Sequence, residues 1–193
     1  MRIIAGEFRG RIIDAPEGEG TRPTIDRVRE SLFSSLFSMR GGFDDAVVLD
    51  AFAGSGALGL EALSRGAQRV VFFERDAKAA RVIERNLAGC RVGAPRAQLR
   101  KVDVLESAPV SMRPAFNLVF LDPPYATDPA VVAGLVERLR TTGALDVQAL
   151  VCYEHAASDK STTFEDGLGV PWEKISSKRY GKVAVDIYER IQG

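Results

Sequence analysis

The chain has 193 residues, 46% of them hydrophobic, with 26 Lys and Arg against 26 Asp and Glu and a formal net charge of zero. That length and composition fit one core-forming domain with at most a small appendage, and the balanced charge excludes a global basic field, leaving nucleic-acid binding to local clusters. Cys90, Cys152 and the single His155 show no disulfide or metal-ligand spacing, and neither a signal-peptide core nor a membrane-length apolar run is found, so a cytoplasmic protein with no metal is expected.

Residues 1 to 20 alternate apolar and polar positions around Gly6 and Gly10 and then enter Pro16, Gly18 and Gly20, which predicts a small β-hairpin and a flexible joint. Arg2, Arg9 and Arg11 make this arm locally basic, suited either to phosphate or to guarding an edge strand. Thr24, after Thr21-Arg22-Pro23, is placed to cap an amphipathic helix over 24–40, with Ile25, Val28, Leu32, Phe33, Leu36 and Phe37 as its core stripe. Arg22, Arg27 and Arg29 fall on the polar side or the helix start, where they would meet phosphate, a ligand carboxylate, or only Glu30 and water.

Gly41-Gly42 ends that helix, and the run from Val47 to Gly59 then reads as buried strand, tight loop and helix, the helix continuing through Leu60, Ala62 and Leu63 to Arg65-Gly66. Gly54-Ser55-Gly56-Ala57-Leu58-Gly59 matches the dinucleotide pattern G-x-G-x-x-G. Asp50 redirects the reading. A carboxylate at the carboxyl end of the strand repels a pyrophosphate but suits a ligand carrying an ammonium and a sulfonium, and S-adenosylmethionine carries both. The plainer role is for Asp50 to cap a turn while Ser55 starts the helix.

Val70 to Phe73 form a second buried strand ending in Glu74, twenty positions after Gly54, the spacing of a ribose-binding acid. A helix over 77–87, closed by Gly89, leads to a weaker strand over 97–104, where Asp103 is placed to accept from an adenine amino group. The cofactor set is therefore Asp50, Ala51, Phe52, Gly54, Ser55, Gly56, Gly59, Glu74, Arg75, Asp103, Val104 and Asp122. Phe116 to Leu121 make an apolar strand that delivers Asp122-Pro123-Pro124-Tyr125, and then come a helix over 129–140, a strand over 149–154 and a hairpin of 172–178 and 183–188. Alternating strands and helices that give way to adjacent strands predict a Rossmann-like, doubly wound α/β fold. Its seven-stranded, mostly parallel sheet would carry an antiparallel C-terminal hairpin, with the N-terminal hairpin and helix as an extension. Right-handed crossovers then set Asp50, Glu74, Asp103 and Asp122 along one edge.

The tetrapeptide Asp122-Pro123-Pro124-Tyr125 suits methylation of an exocyclic base amine. Such an amine is a poor nucleophile because its lone pair is delocalised into the ring. Acceptors at the Asp122 carboxylate and the Pro123 carbonyl would localise that pair for in-line attack, with Pro123 and Pro124 fixing the backbone and Tyr125 offering a face for the base. Neither cysteine is placed for covalent attack on a pyrimidine, which favours a nitrogen acceptor.

With these residues in hand, the chain resembles the class I S-adenosylmethionine-dependent methyltransferases and, more narrowly, the RsmD family of 16S ribosomal RNA guanine-N2 methyltransferases. The resemblance rests on Arg22-Pro23-Thr24-Ile25-Asp26-Arg27-Val28-Arg29-Glu30-Ser31-Leu32-Phe33, on Leu49 to Ala62, and on Asp122-Pro123-Pro124-Tyr125; Ile25 stands where the family often has threonine. It implies transfer to the N2 amine of a guanine in 16S rRNA, in a 30S particle, by a monomeric enzyme. Residues 1–20 would be an arm and 21–193 the methyltransferase domain. RNA contacts are expected from Arg2, Arg9, Arg11, Arg22, Thr24 and Arg27, and from Lys178, Arg179 and Lys182 on the final hairpin. A DNA adenine-N6 methylase would share the proline turn but needs a target-recognition segment for which the chain leaves little length. A nicotinamide oxidoreductase would share the glycine loop and Glu74 but neither Asp50 nor the proline turn, and a non-catalytic RNA-binding module would need no such turn.

Overall fold

The computed structural model describes residues 1–16, 23–157, 164–168 and 172–191, and the chain divides into two compact units, Met1–Val102 and Asp103–Gly193. Seven strands and four α-helices give the expected mixed α/β architecture, mostly parallel with antiparallel strands at the C-terminal end.

The first unit holds α1 (Pro23–Arg40), β1 (Val47–Asp50), α2 (Ala57–Ser64), β2 (Arg69–Phe73), α3 (Ala77–Cys90) and β3 (Ala97–Arg100), with parallel strands in the order β3-β2-β1. All four residues of β1 are buried, which is why Val47 to Leu49 are apolar without alternation. The register Val47↔Arg69 through Asp50↔Phe72 sets the ends of β1 and β2 side by side. The second unit holds β4 (Phe116–Leu121), α4 (Pro129–Thr141), β5 (Leu145–Ala156), a 3₁₀ turn (Glu165–Gly167), β6 (Trp172–Tyr180) and β7 (Val183–Arg190), in the sheet order β4-β5-β7-β6. Here β4 and β5 are parallel, and β7 runs antiparallel to both β5 and β6. Asp128 caps α4 through the Ala130 N–H, and Pro129 opens the helix, where a missing N–H costs nothing.

Several local expectations are corrected. Helix α1 starts at Pro23, so Thr24 is a helical residue rather than the cap, because proline's fixed φ and absent N–H suit the first helical position. Phe37 is 55% exposed, at the edge of a stripe whose Val28, Leu32, Phe33 and Leu36 are buried. Gly89 lies inside α3, which ends at Arg91 in the left-handed region, φ 57°. Strand β3 stops at Arg100, leaving Asp103 in a turn where it accepts from the Leu105 N–H at 2.9 Å. β5 runs twelve residues, well beyond 149–154. The N-terminal hairpin reduces to one antiparallel bridge, Arg2↔Ile12, flanked by backbone bonds from Ile3 to Arg11 and from Ile13 to Met1. From residue 17 to 22 the expected joint and Arg22 lie outside the described residues.

Candidate functional site

The glycine loop is held in shape by two carboxylates. Asp50, only 2% exposed, accepts the Gly59 N–H at 2.9 Å through Oδ2, satisfying a donor that the start of α2 would otherwise leave open. The cap residue itself, Gly56, is left-handed at φ 77° and makes no side-chain cap bond, so helix capping falls to Asp50 rather than to Ser55. Burial raises the Asp50 carboxyl from 3.8 to about 7; the Gly59 N–H pulls it down and the charge of Glu74 pushes it up.

Glu74 spans the loop from the end of β2: Oε2 accepts the Gly54 N–H at 2.8 Å and Oε1 the Asp76 N–H at 2.7 Å. Each oxygen keeps a second lone pair, and the half-buried carboxylate remains open to a pair of ribose hydroxyls. Gly54, at φ +53°, has open space where a Cβ would lie, as close approach of a ligand requires. The third glycine has another reason: a Cβ on Gly59 would lie 2.2 Å from the Phe72 ring, so this glycine lets α2 pack directly on β2. Ala51 is buried, Phe52 half-buried and Arg75 exposed. These features fit an adenosyl cofactor at the β1 and β2 ends.

The arm is fixed to α2 and α3 by groups that sequence reasoning did not single out. Glu61, fully buried on α2, accepts from the Ile4 N–H at 2.8 Å, the Ala5 N–H at 3.1 Å and Arg65 Nε at 2.7 Å, with Arg29 Nε 3.8 Å away. Arg29 is therefore not on the polar face. It is 3% exposed, pairs with Asp26 at 2.9 Å and donates to the Arg2 carbonyl, because the arm folds over that part of α1. Ser64 adds its Oγ to the Phe8 N–H at 2.9 Å. Asn86 joins arm to loop: its Oδ1 accepts the Asp14 N–H, and its Nδ2 donates to the Asp14 and Ser55 carbonyls at 3.0 and 2.9 Å. The one detectable signal was polarity out of place, a Glu amid Leu60, Ala62 and Leu63, and an Asn on the buried stripe of α3.

In the second unit, buried β4 ends at Leu121 and the chain turns outward. Asp122 and Pro124 are exposed, Pro123 is buried, Tyr125 is 66% exposed, and the Thr127 N–H closes the turn on the Pro124 carbonyl at 2.8 Å. The turn thus displays a carboxylate and an aromatic ring on a backbone stiffened by two prolines. Asp103 is half-buried and Val104 buried. Of the residues expected to meet RNA, Arg2, Arg9, Arg11 and Arg27 are exposed in the first unit, and Lys178, Arg179 and Lys182 in the second. Arg11 donates to the Gly89 carbonyl, and Arg179 to that of Ala157 at 2.6 Å, so both stems are already oriented. A polar cluster also missed from sequence lies behind the final hairpin: Asp186, 4% exposed, accepts from Ser177 at 2.6 Å, Lys174 at 3.1 Å and Tyr188 at 3.3 Å, with His155 Nε2 at 3.3 Å.

Residues 1–189 match the model of a family described as "Conserved hypothetical protein 95". The ribosomal RNA small subunit methyltransferase D of Escherichia coli K12 is 36% identical over 194 residues, covering 98% of this chain and 90% of that one. A putative rRNA methyltransferase of Bacillus subtilis is 32% identical, with 98% and 99% covered. Among solved structures, a putative methyltransferase from Escherichia coli superposes with a TM-score of 0.80 at 34% identity over 98% of this chain and 97% of that one.

Proposed function

The chain belongs to the RsmD family of ribosomal RNA small-subunit methyltransferases, and from that premise we propose that it transfers a methyl group from S-adenosylmethionine to the N2 amine of a guanine in 16S rRNA. The substrate in this reading is the RNA of a 30S particle, and the enzyme is a cytoplasmic monomer whose residues 1–20 serve as an RNA-gripping arm on a methyltransferase domain of residues 21–193. The observation that carries it is the Asp122-Pro123-Pro124-Tyr125 turn, presented at the end of a buried strand.

When bound, S-adenosylmethionine supplies an electrophilic methyl group on a positively charged sulfur. Glu74 holds the ribose through the lone pairs its two backbone bonds leave over, and the Asp50 carboxylate adds negative potential where the ligand is cationic. Asp122 and the Pro123 carbonyl each accept one N–H of the guanine amine, turning its lone pair out of the ring. As the nitrogen gains the methyl it becomes cationic, and the hydrogen bond to Asp122 strengthens at that moment, which is where catalysis gains most. The methylated amine then passes one proton to the exposed Asp122 carboxylate, which releases it to solvent. Tyr125 stacks on the base, a contact of about 1–3 kcal/mol in single-stranded complexes. Arg2, Arg9, Arg11, Arg22 and Arg27, with Lys178, Arg179 and Lys182, grip phosphates, and Thr24 joins them from the start of α1.

The test supplies labelled S-adenosylmethionine with 30S particles, naked 16S RNA and duplex DNA in parallel, then digests each to nucleosides for mass spectrometry. N2-methylguanosine from either RNA sample is expected. N6-methyladenine from the DNA, with no methylated guanosine from RNA, would replace this reading with that of an adenine methylase.

A further inference from the structure

Glu154 is a carboxylate in the last paired stretch of β5, two residues before its end, for which the methyl-transfer scheme has no use. β4 and β5 run parallel and in register through Phe120↔Cys152 and Leu121↔Tyr153, so the next residues along the two chains are Asp122 and Glu154. Neighbouring strands lie about 5 Å apart, within the span of one base edge. Side chains alternate along a strand. Tyr153 and His155 stack ring on ring at 5.0 Å, which sets Glu154 on the opposite face of β5, the face of Cys152. Carried one residue past the end of β4, the alternation that sets Phe120 beside Cys152 puts Asp122 on the side of Glu154. On its other side the partner of Glu154 across the antiparallel pairing is apolar Val185. Among the described residues, no hydrogen bond or ion pair engages the Glu154 carboxylate, although it is half-buried. Burial pushes its carboxyl above the ordinary range, and the charge of His155 opposes that rise. A half-buried acceptor without a donor costs free energy that an incoming N–H recovers.

The chemistry of the donor is set by the base. On the Watson–Crick edge of guanine, the N2 amine sits next to N1–H, so two donors lie side by side. On adenine the atom next to the N6 amine is a bare N1, an acceptor. We propose that Glu154 is a specificity-determining residue, whose carboxylate accepts the N1–H of the target guanine while Asp122 holds its N2 amine. Adenine offered to the same pair of carboxylates brings a lone pair against Glu154 and is repelled, which turns an amine-methylating turn into a guanine-selective one. This assignment rests on the guanine-N2 reading.

The experiment uses the full chain and the RNA nucleotide at which the wild type deposits its methyl group. That nucleotide is replaced by 2-aminopurine, which keeps the amine but lacks N1–H, and both RNAs are offered to the wild type and to Glu154→Ala, which removes the acceptor. Loss of one hydrogen bond to a charged group predicts a roughly 10- to 100-fold fall in kcat/KM for Glu154→Ala on guanine, with S-adenosylhomocysteine affinity and melting temperature unchanged. The wild type should discriminate against 2-aminopurine, and the variant should do so at least about fivefold less, since it has already lost the contact. Equal discrimination by both proteins, or a variant within about threefold of wild type on guanine, overturns the assignment. Glu154→Leu gives the same comparison if the first variant melts early. If the wild type makes no N2-methylguanosine in any RNA, the guanine reading has failed and this assignment falls with it; if it does, only the role of Glu154 is on trial.

Discussion

Asp50 and Asp122 each stand at the carboxyl end of a buried strand, yet the first is 2% exposed with Oδ2 bonded to the Gly59 N–H, and the second is exposed at the head of a turn. The difference lies in the residues that come after each aspartate. After Asp50 come glycines and a helix start, rich in backbone N–H groups, and the loop folds back until one of them reaches the carboxylate. After Asp122 come two prolines, which have no N–H to offer, and the side chain is exposed. One aspartate shapes the glycine loop; the other is displayed at the surface, as its proposed role on substrate requires.

The largest expected effect falls on a third carboxylate, held as tightly as Asp50. Glu61→Ala strips a partner from Arg29 and from Arg65 and the acceptors of the arm's Ile4 and Ala5 N–H groups, so urea unfolding should show a loss of about 3–5 kcal/mol. Asp122→Ala should break the comparison from the other side. With an exposed side chain, its melting temperature should stay near that of the wild type while the methylation rate falls by about 10²–10³, the usual cost of removing one charge-stabilising group. A protein that lost stability instead would make Asp122 a second Asp50.

A further effect sharpens the contrast through pH. Because the folded-state pKa of Asp50 is raised from 3.8 to about 7, its stabilising contribution is complete below 3.8 and is lost as pH rises through about 7. Asp50→Asn keeps an acceptor for Gly59 but cannot ionise. The stability difference should therefore move in favour of the variant between pH 4 and 7, by at most roughly 1.4 kcal/mol per pH unit, and level off above that, as read from denaturation midpoints across the range. A flat difference would show that Asp50 titrates normally. The smallest change is Tyr125→Phe, which should leave kcat/KM nearly intact, whereas Tyr125→Ala should lose about 1–3 kcal/mol of base stacking. Equal losses would assign the role to the hydroxyl.

Much of this was legible before the structure, and for identifiable reasons. The apolar runs at Val47 to Leu49 and Phe116 to Leu121 can only be strands buried on both faces, and the glycine spacing and proline turn fix the loops that come after them. Pairing partners were not legible. Arg29 reads as one of three arginines on a polar face, and nothing in its spacing tells that the arm covers it and that Glu61, 32 positions later, lies 3.8 Å away. Asn86 and Glu154 share this property. Each is ordinary in its own helix or strand, and its environment is built by contacts distant in sequence, such as Asp14 for Asn86 and the β4 register for Glu154. Element ends drifted for local reasons. Gly89 failed to stop α3 because the next positions, through Cys90, still bury apolar surface, and the helix ends only where Arg91 takes a left-handed conformation.

The proposed division between a carboxylate that binds cofactor and one that acts on the base is tested most directly by titrating S-adenosylhomocysteine into Glu74→Ala and Asp122→Ala by calorimetry, alongside their single-turnover methylation rates. Glu74→Ala should bind about tenfold or more weakly through loss of its ribose contact, while Asp122→Ala should bind within about threefold of wild type and fail in the chemical step. Unchanged affinity in Glu74→Ala, or a loss of affinity in Asp122→Ala as large as its loss of rate, would contradict the account.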